Sequence, residues 1–158
     1  MRLFILAVGK VRDKAVAEAC DGYLGRIARY QDVEVRQVRD GGKADRHATE
    51  ARRIEGAALL RIIPPRARTF TLTRTGDSFT SEGLARMLQQ WQEEARDVAL
   101  VIGGAHGVDP AVLQVSEGCI SLSSLTLPHE VARLVLLEQL YRACTINRGE
   151  PYHKGRGT

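Results

Sequence analysis

Two rhythms of apolar positions alternate along the chain. Arg2 to Val8 is a compact apolar run closed by Gly9 and predicts a first strand, whereas from Asp13 to Tyr30 the residues Val16, Cys20, Tyr23, Leu24 and Ile27 recur at helical spacing. Val33, Val35 and Val38 predict a second strand that runs into the turn cluster Asp40-Gly41-Gly42, and Ala44 to Ile63 a helix stopped by Pro64-Pro65. Thr69 to Thr73 predicts a third strand, followed by a loop through Thr75, Gly76 and Asp77. A helix opens near Thr80-Ser81-Glu82, where a hydroxyl caps the first turn and Glu82 suits the helix dipole. Leu84, Leu88 and Trp91 give that helix one apolar face.

Val98 to Ile102 is apolar on both faces, as a central parallel strand covered by helices on each side should be. Directly after it come Gly103-Gly104-Ala105-His106-Gly107 and a short helix from about Asp109 or Pro110 to Ser116. Cys119 to Ser123 predicts the fifth strand and His129 to Ile146 the last helix. Strands alternating with helices imply an α/β fold with one open, mostly parallel sheet. Ligands of such sheets bind beyond the carboxyl ends of the strands. The loop after Leu72, the glycine cluster and the Leu122 to Pro128 loop all lie there, and a site should form where they converge.

Composition narrows this reading without redirecting it. A chain of 158 residues, 44% apolar, fits one domain with a real core. Its apolar runs fall far short of the roughly 20 residues of a membrane span, and the N-terminus has too short an apolar region for a secretory signal; a cytoplasmic protein is expected. Cys20, Cys119 and Cys144 share no C-x-x-C spacing, so they read as small buried hydrophobes and not as a disulfide framework or zinc site. The net charge of +4 is concentrated at the end, where Arg142, Arg148, Lys154 and Arg156 face only Glu150. A polyanionic partner such as RNA would suit that tail, although a solvated basic terminus would look the same.

G-G-x-x-G is neither the dinucleotide fingerprint nor a phosphate loop, and alone it fits a tight turn as well as a ligand loop. His129-Glu130-x-x-Arg133 resembles H-E-x-x-H but has Arg at the second ligand position, so no metal is expected. The last helix is apolar almost all round, which points to a subunit interface and a homodimer. Its polar residues form two poles, His129 with Arg133 and Glu138 with Arg142. Glu138 and Arg142 are an i, i+4 pair of favourable orientation, so a salt bridge serves as well as a catalytic role for Glu138. Tyr152 and His153, set among basic residues, could stack on and hydrogen-bond an unpaired base.

Together VIGGAHGV, SLSSLTLPHEVARLVLLEQLYRACTI and RGEPYHK closely resemble the small SPOUT-class methyltransferases that modify N3 of a pseudouridine in large-subunit ribosomal RNA. LFILAVGK and TFTLTRTGDSFTSEGLA resemble the same family, so the likeness covers nearly the whole chain. It implies an S-adenosylmethionine-dependent enzyme, a homodimer, and a deep trefoil knot within about residues 70–150, with a basic tail over 147–158 and one domain over 1–158. Cofactor contacts carried over from the family fall on Leu72, Gly103, Gly104, and Leu122, Ser123, Ser124, Leu125, Thr126 and Leu127. The leucines would wall the adenine while backbone groups read its polar edge. Two departures stand out: Gly76-Asp77 replaces the Gly-Lys common in relatives, leaving a basic contact there unsupported, and Gly155 to Thr158 extends the usual ending.

The implied chemistry aligns an activated methyl group with N3, which must also lose its proton. His129 and His153 are the candidate bases, on loop position and because imidazoles ordinarily titrate near neutral pH. Arg133, Arg142 and Arg148 are expected to bind phosphates or support the site, with His153 and Lys154 joining them on the RNA and Tyr152 holding the target base. The tail is too short to wrap far, so one subunit's tail would cover its partner's cofactor. A protein this small contacts little of a structured assembly, and the assembled ribosome is the expected substrate. The rival readings, a non-catalytic RNA-binding protein and a nucleotide or small-molecule α/β enzyme, each leave either the loops or the tail without use.

Overall fold

The computed structural model describes residues 1–41 and 47–153, the last by its backbone alone. Its five strands are β1 (Leu3–Val8), β2 (Val33–Val38), β3 (Arg68–Ser78), β4 (Val98–Ile102) and β5 (Gly118–Ser121), and they form one sheet in the order β2-β1-β4-β3-β5. All neighbouring pairs run parallel, so the expected open α/β sheet is present. The helices are α1 (Lys14–Ile27), α2 (Ala48–Ile62), α3 (Ser81–Glu93), α4 (Pro110–Val115) and α5 (His129–Asn147), and a 3-10 turn over Pro151–His153 follows.

Strand alternation sorts the core into two layers. Leu3, Ile5 and Ala7 of β1, with Val98, Leu100 and Ile102 of β4, face Trp91 of α3 and Leu136, Leu137 and Leu140 of α5. Phe4, Leu6 and Val8, with Ala99 and Val101, face Leu59 of α2 and Val112 of α4. Covered on both sides, β1 and β4 are buried along their whole lengths, which is why both read as unbroken apolar runs. Three helices start on acceptor side chains: Asp13 accepts the Val16 N–H, Thr80 the Gly83 N–H and Asp109 the Ala111 N–H.

Two boundaries differ from the sequence reading. The loop expected through Thr75, Gly76 and Asp77 is a continuation of β3 that slips register against β5: Ile120 pairs first with Leu72 and again with Asp77, so 73–76 bulge out between. Gly76 makes the slip possible, since a Cβ there would lie 2.6 Å from the Cys119 carbonyl carbon and 2.7 Å from the Ile120 nitrogen. The fifth strand stops at Ser121 and not at Ser123, because hydroxyls capture the backbone instead of a neighbouring strand. The Ser121 hydroxyl lies 3.1 Å from the Arg74 carbonyl and 3.0 Å from that of Ser123, and the Ser123 hydroxyl accepts the Leu125 N–H at 2.9 Å. Of the second helix, 44–46 lie outside the described residues.

Much of the apolar circumference of α5 is used inside this chain. It packs between α1 and α3, burying Leu136, Leu137, Leu140, Ala143 and Cys144. Val131 and Val135 stay half-exposed on one stripe with Glu138 and Arg142.

Candidate active site

The three expected segments converge. At the carboxyl ends of β3, β4 and β5 lies a cleft of about 550 Å³, a size that suits a cofactor. Leu72, Gly103, Gly104, Leu122, Ser123, Leu125, Thr126 and Leu127 all line it; Ser124 does not and is exposed. His129 lines the edge where α5 begins. Thr73, Arg74, Val108 and Ala132 also line it and were missed by sequence reasoning, which ended the third strand at Thr73 and did not foresee the bulge.

The glycine cluster builds one wall through backbone geometry. The Gly107 N–H donates to the Gly104 carbonyl at 3.1 Å, and Gly107 sits at φ +82° to close the turn. A Cβ on Gly103 would lie 2.6 Å from Val108 Cγ2 and 2.8 Å from the Gly107 oxygen; one on Gly104 would lie 2.7 Å from Oε2 of Glu55. Glu55 is buried beneath this loop, accepting the Gly41 N–H at 2.9 Å, and burial pushes its carboxyl above the usual range.

His129, Glu130 and Arg133, the H-E-x-x-R group, clamp the β1–α1 connection against the first turn of α5. The Glu130 carboxylate accepts the N–H groups of Arg12 at 3.0 Å and Asp13 at 3.2 Å, while Arg133 donates from Nη2 to the Gly9 carbonyl at 2.9 Å. His129 approaches the same segment, with Nε2 3.8 Å from where a Gly9 Cβ would stand. Arg133 is 2% exposed, so it supports the site and does not offer a guanidinium to phosphate. Burial pulls its pKa down. No group of His, Cys, Asp and Glu among the described residues could hold a metal ion.

The Arg12 N–H foremost, with that of Asp13, holds the Glu130 carboxyl below its ordinary value of 4.5. A depressed folded-state pKa means that the clamp contributes fully above the unfolded value and is lost as pH falls through the folded one. Thermal denaturation should show wild type losing more of its Tm than Glu130→Gln as pH drops below about 4.5. Parallel slopes for the two proteins would refute the clamp.

At its far end α5 anchors the tail. The Tyr152 ring packs 4.6 Å from that of Tyr141, its hydroxyl lies 3.1 Å from Oε1 of Glu138 and 3.3 Å from the Tyr23 hydroxyl, and the Arg142 guanidinium sits 5.0 Å over its face. Burial, and then these partners, push its pKa up. Arg142 also pairs with Glu138 at 2.6 Å. The Tyr30 hydroxyl donates to Glu150 at 2.6 Å, which raises its pKa to about 12. Tyr152 and Arg142 are therefore engaged within the chain, away from the cleft lining, and fasten the tail to α1 and α5. Arg148 is exposed at the end of α5. The side chain of His153, and Lys154, lie outside the described residues.

Comparison with known proteins matches residues 1–153 to the family described as predicted SPOUT methyltransferase. This chain belongs to the SPOUT methyltransferase family. It is similar to the ribosomal RNA large subunit methyltransferase H of Anaeromyxobacter sp. strain Fw109-5, 47% identical over 156 residues covering 98% of this chain and 100% of that protein. The protein of the same name from Gemmatimonas aurantiaca is 44% identical over 154 residues, again covering 98% and 100%. Among solved structures, a probable methyltransferase from Bordetella pertussis Tohama I superposes with a TM-score of 0.55 at 16% identity, covering 90% of this chain and 94% of that one, a likeness of fold.

Proposed function

We propose that this chain is an S-adenosylmethionine-dependent methyltransferase that methylates N3 of a pseudouridine in large-subunit ribosomal RNA. The observation that carries the reading is the convergence of Leu72, Gly103-Gly104 and Leu122 to Leu127 on one cleft, in a chain whose relatives are named large subunit rRNA methyltransferases. The cleft also fits the cofactor in two particulars. Gly103 stands where a Cβ would run into Val108 and Gly107 of the cleft wall, and the Thr73 hydroxyl is buried at the lining without a hydrogen-bond partner. Bound S-adenosylmethionine would supply the activated methyl group.

The leucines of the Leu122 to Leu127 loop would exclude water and face the adenine, while Gly103 and Gly104 present main-chain groups at close range. Leu125, 73% exposed, would be covered on binding. His129, at the edge of the cleft, would take the N3 proton; Arg148 would meet phosphate, while Arg133 and the Glu138–Arg142–Tyr152 group hold the two ends of α5. The half-exposed stripe of Val131 and Val135 supports a homodimer in which one subunit's anchored tail, with His153 and Lys154, reaches the partner's cleft. We also infer one domain over 1–158 with the family's trefoil knot within about 70–150, and a cytoplasmic location.

The test is transfer of labelled methyl from S-adenosylmethionine to assembled ribosomes, free large subunits and naked rRNA, with the modified nucleotide located by mass spectrometry. Label on N3 of one pseudouridine, best in assembled ribosomes, is expected, and no transfer to any of the three would overturn the reading. His129→Ala should cut the rate on the order of 100-fold and remove the rise of rate with pH on the acid limb of the pH–rate profile. An unchanged profile excludes His129 as the base.

A further inference from the structure

The bulge in β3 brings two consecutive polar residues, Thr73 and Arg74, to the lining of the cleft. In a regular strand Thr73 and Arg74 would point to opposite faces. Here the register slips between Leu72 and Asp77, and both residues line the cleft. The bulge is pinned at each end: Ser121 holds the Arg74 carbonyl at 3.1 Å, and Gly76 lies flat against the backbone of Cys119 and Ile120.

Each of the two groups lacks something. Thr73 Oγ1 is buried with no hydrogen-bond partner, and an unpaired buried hydroxyl is costly unless a ligand completes it. Arg74 is exposed and makes no ion pair among the described residues. Among the described residues no Asp or Glu lines the cleft, and its ionisable lining groups are Arg74 and His129. A guanidinium that makes no ion pair among the described residues, next in sequence to an unsatisfied hydroxyl, can serve as an anion receptor, and at the lining of a cleft it suits a small carboxylate.

We infer that Thr73 and Arg74 bind the α-carboxylate of the cofactor's amino-acid end, Arg74 as a charge-assisted donor and Thr73 through its hydroxyl. The inference rests on the proposed use of S-adenosylmethionine and adds a residue pair that fixes the orientation of its methionyl arm. Position favours this anion over an RNA phosphate: Thr73 and Arg74 both line the cleft in which the cofactor would sit. Because the carboxylate is the cofactor's one anionic group, an arginine in the cleft would repel the sulfonium and ammonium and admit the molecule in one orientation.

Titration calorimetry with S-adenosylmethionine and its decarboxylated form separates the outcomes. Wild type should bind the carboxylated form about tenfold more tightly, the span expected of one charge-assisted contact at a partly open site. Arg74→Ala should lose that preference by weakening only the carboxylated form, Arg74→Lys should restore part of it, and Thr73→Val should weaken the same form by about threefold to tenfold. Arg74→Ala binding both forms with the wild-type preference overturns the assignment. So does equal weakening of both, or a normal cofactor affinity with a raised KM for RNA, which would make Arg74 a phosphate contact. Wild type binding neither form would instead defeat the cofactor reading itself.

Discussion

Gly103→Ala should lower methyl transfer on the order of 100-fold in a chain that still folds, because displacement of a binding wall by about 1 Å is enough for a loss of that size. A Cβ at 103 would meet Val108 Cγ2 at 2.6 Å, the Gly107 oxygen at 2.8 Å and its carbonyl carbon at 3.0 Å. Two of these three atoms are main chain, in the turn closed by the Gly107 N–H to the Gly104 carbonyl, so relief comes only by shifting the wall itself. At Gly104 the atoms in the way belong to the side chains of Glu55 and Val8, which can give, and Gly104→Ala should cost less. The comparison is made by kcat/KM and cofactor Kd for both variants, with circular dichroism to establish folding. Wild-type kcat/KM in Gly103→Ala would show that this wall does not touch the cofactor.

Arg133→Ala should be the most destabilising change in the site's support, by about 3 kcal/mol, the cost of emptying a buried position and leaving a carbonyl unpaired. That corresponds to a Tm roughly 6–12 °C lower for a chain of this size. Arg133 is 2% exposed, donates to the Gly9 carbonyl at 2.9 Å, and has its Nε buried without a partner. A buried charge so lightly satisfied is replaceable by an apolar side chain of similar volume at little cost. Arg133→Met should therefore recover most of the lost Tm. If it is stable and fully active, the guanidinium serves only to fill and tether; if it is stable but slow, holding the β1–α1 connection matters to the chemistry. A Tm for Arg133→Ala within about 1 °C of wild type would refute the support role, since even a modest buried hydrogen bond exceeds that.

How much of this was legible in sequence depended on the range of each cause. The strands β1 and β4 and the helices α1, α3 and α5 were readable because burial on one or two faces writes a period into consecutive residues. The cleft followed from topology, and its lining agrees with the contacts carried over from the family at every residue except Ser124. The bulge was not readable: Gly76 is required by the backbone of Cys119 and Ile120, neighbours only in space. The same holds for Glu130 and Arg133, whose partners Arg12, Asp13 and Gly9 lie at the other end of the chain, so that H-E-x-x-R could be denied a metal but not given its clamp. Tyr152 was placed among basic residues by its sequence neighbours, while Tyr23, Tyr141 and Glu138 decide what it does in the structure.

The double pairing of Ile120, with Leu72 and then with Asp77, also sets when the cleft comes into being. Its walls come from β3, β4, β5 and the start of α5, and each waits for a partner distant in sequence: β4 inserts between β1 and β3, and the bulge is locked only when Ser121 arrives. Pairings across such separations are slow because the intervening chain must be closed first. A polypeptide emerging in order from its amino end would thus hold a largely formed outer sheet, with β1 and β2 together, long before it could hold a ligand. Binding competence arrives with the last strand and helix, so a chain truncated before β5 would lack its cleft altogether, however well its early half had folded.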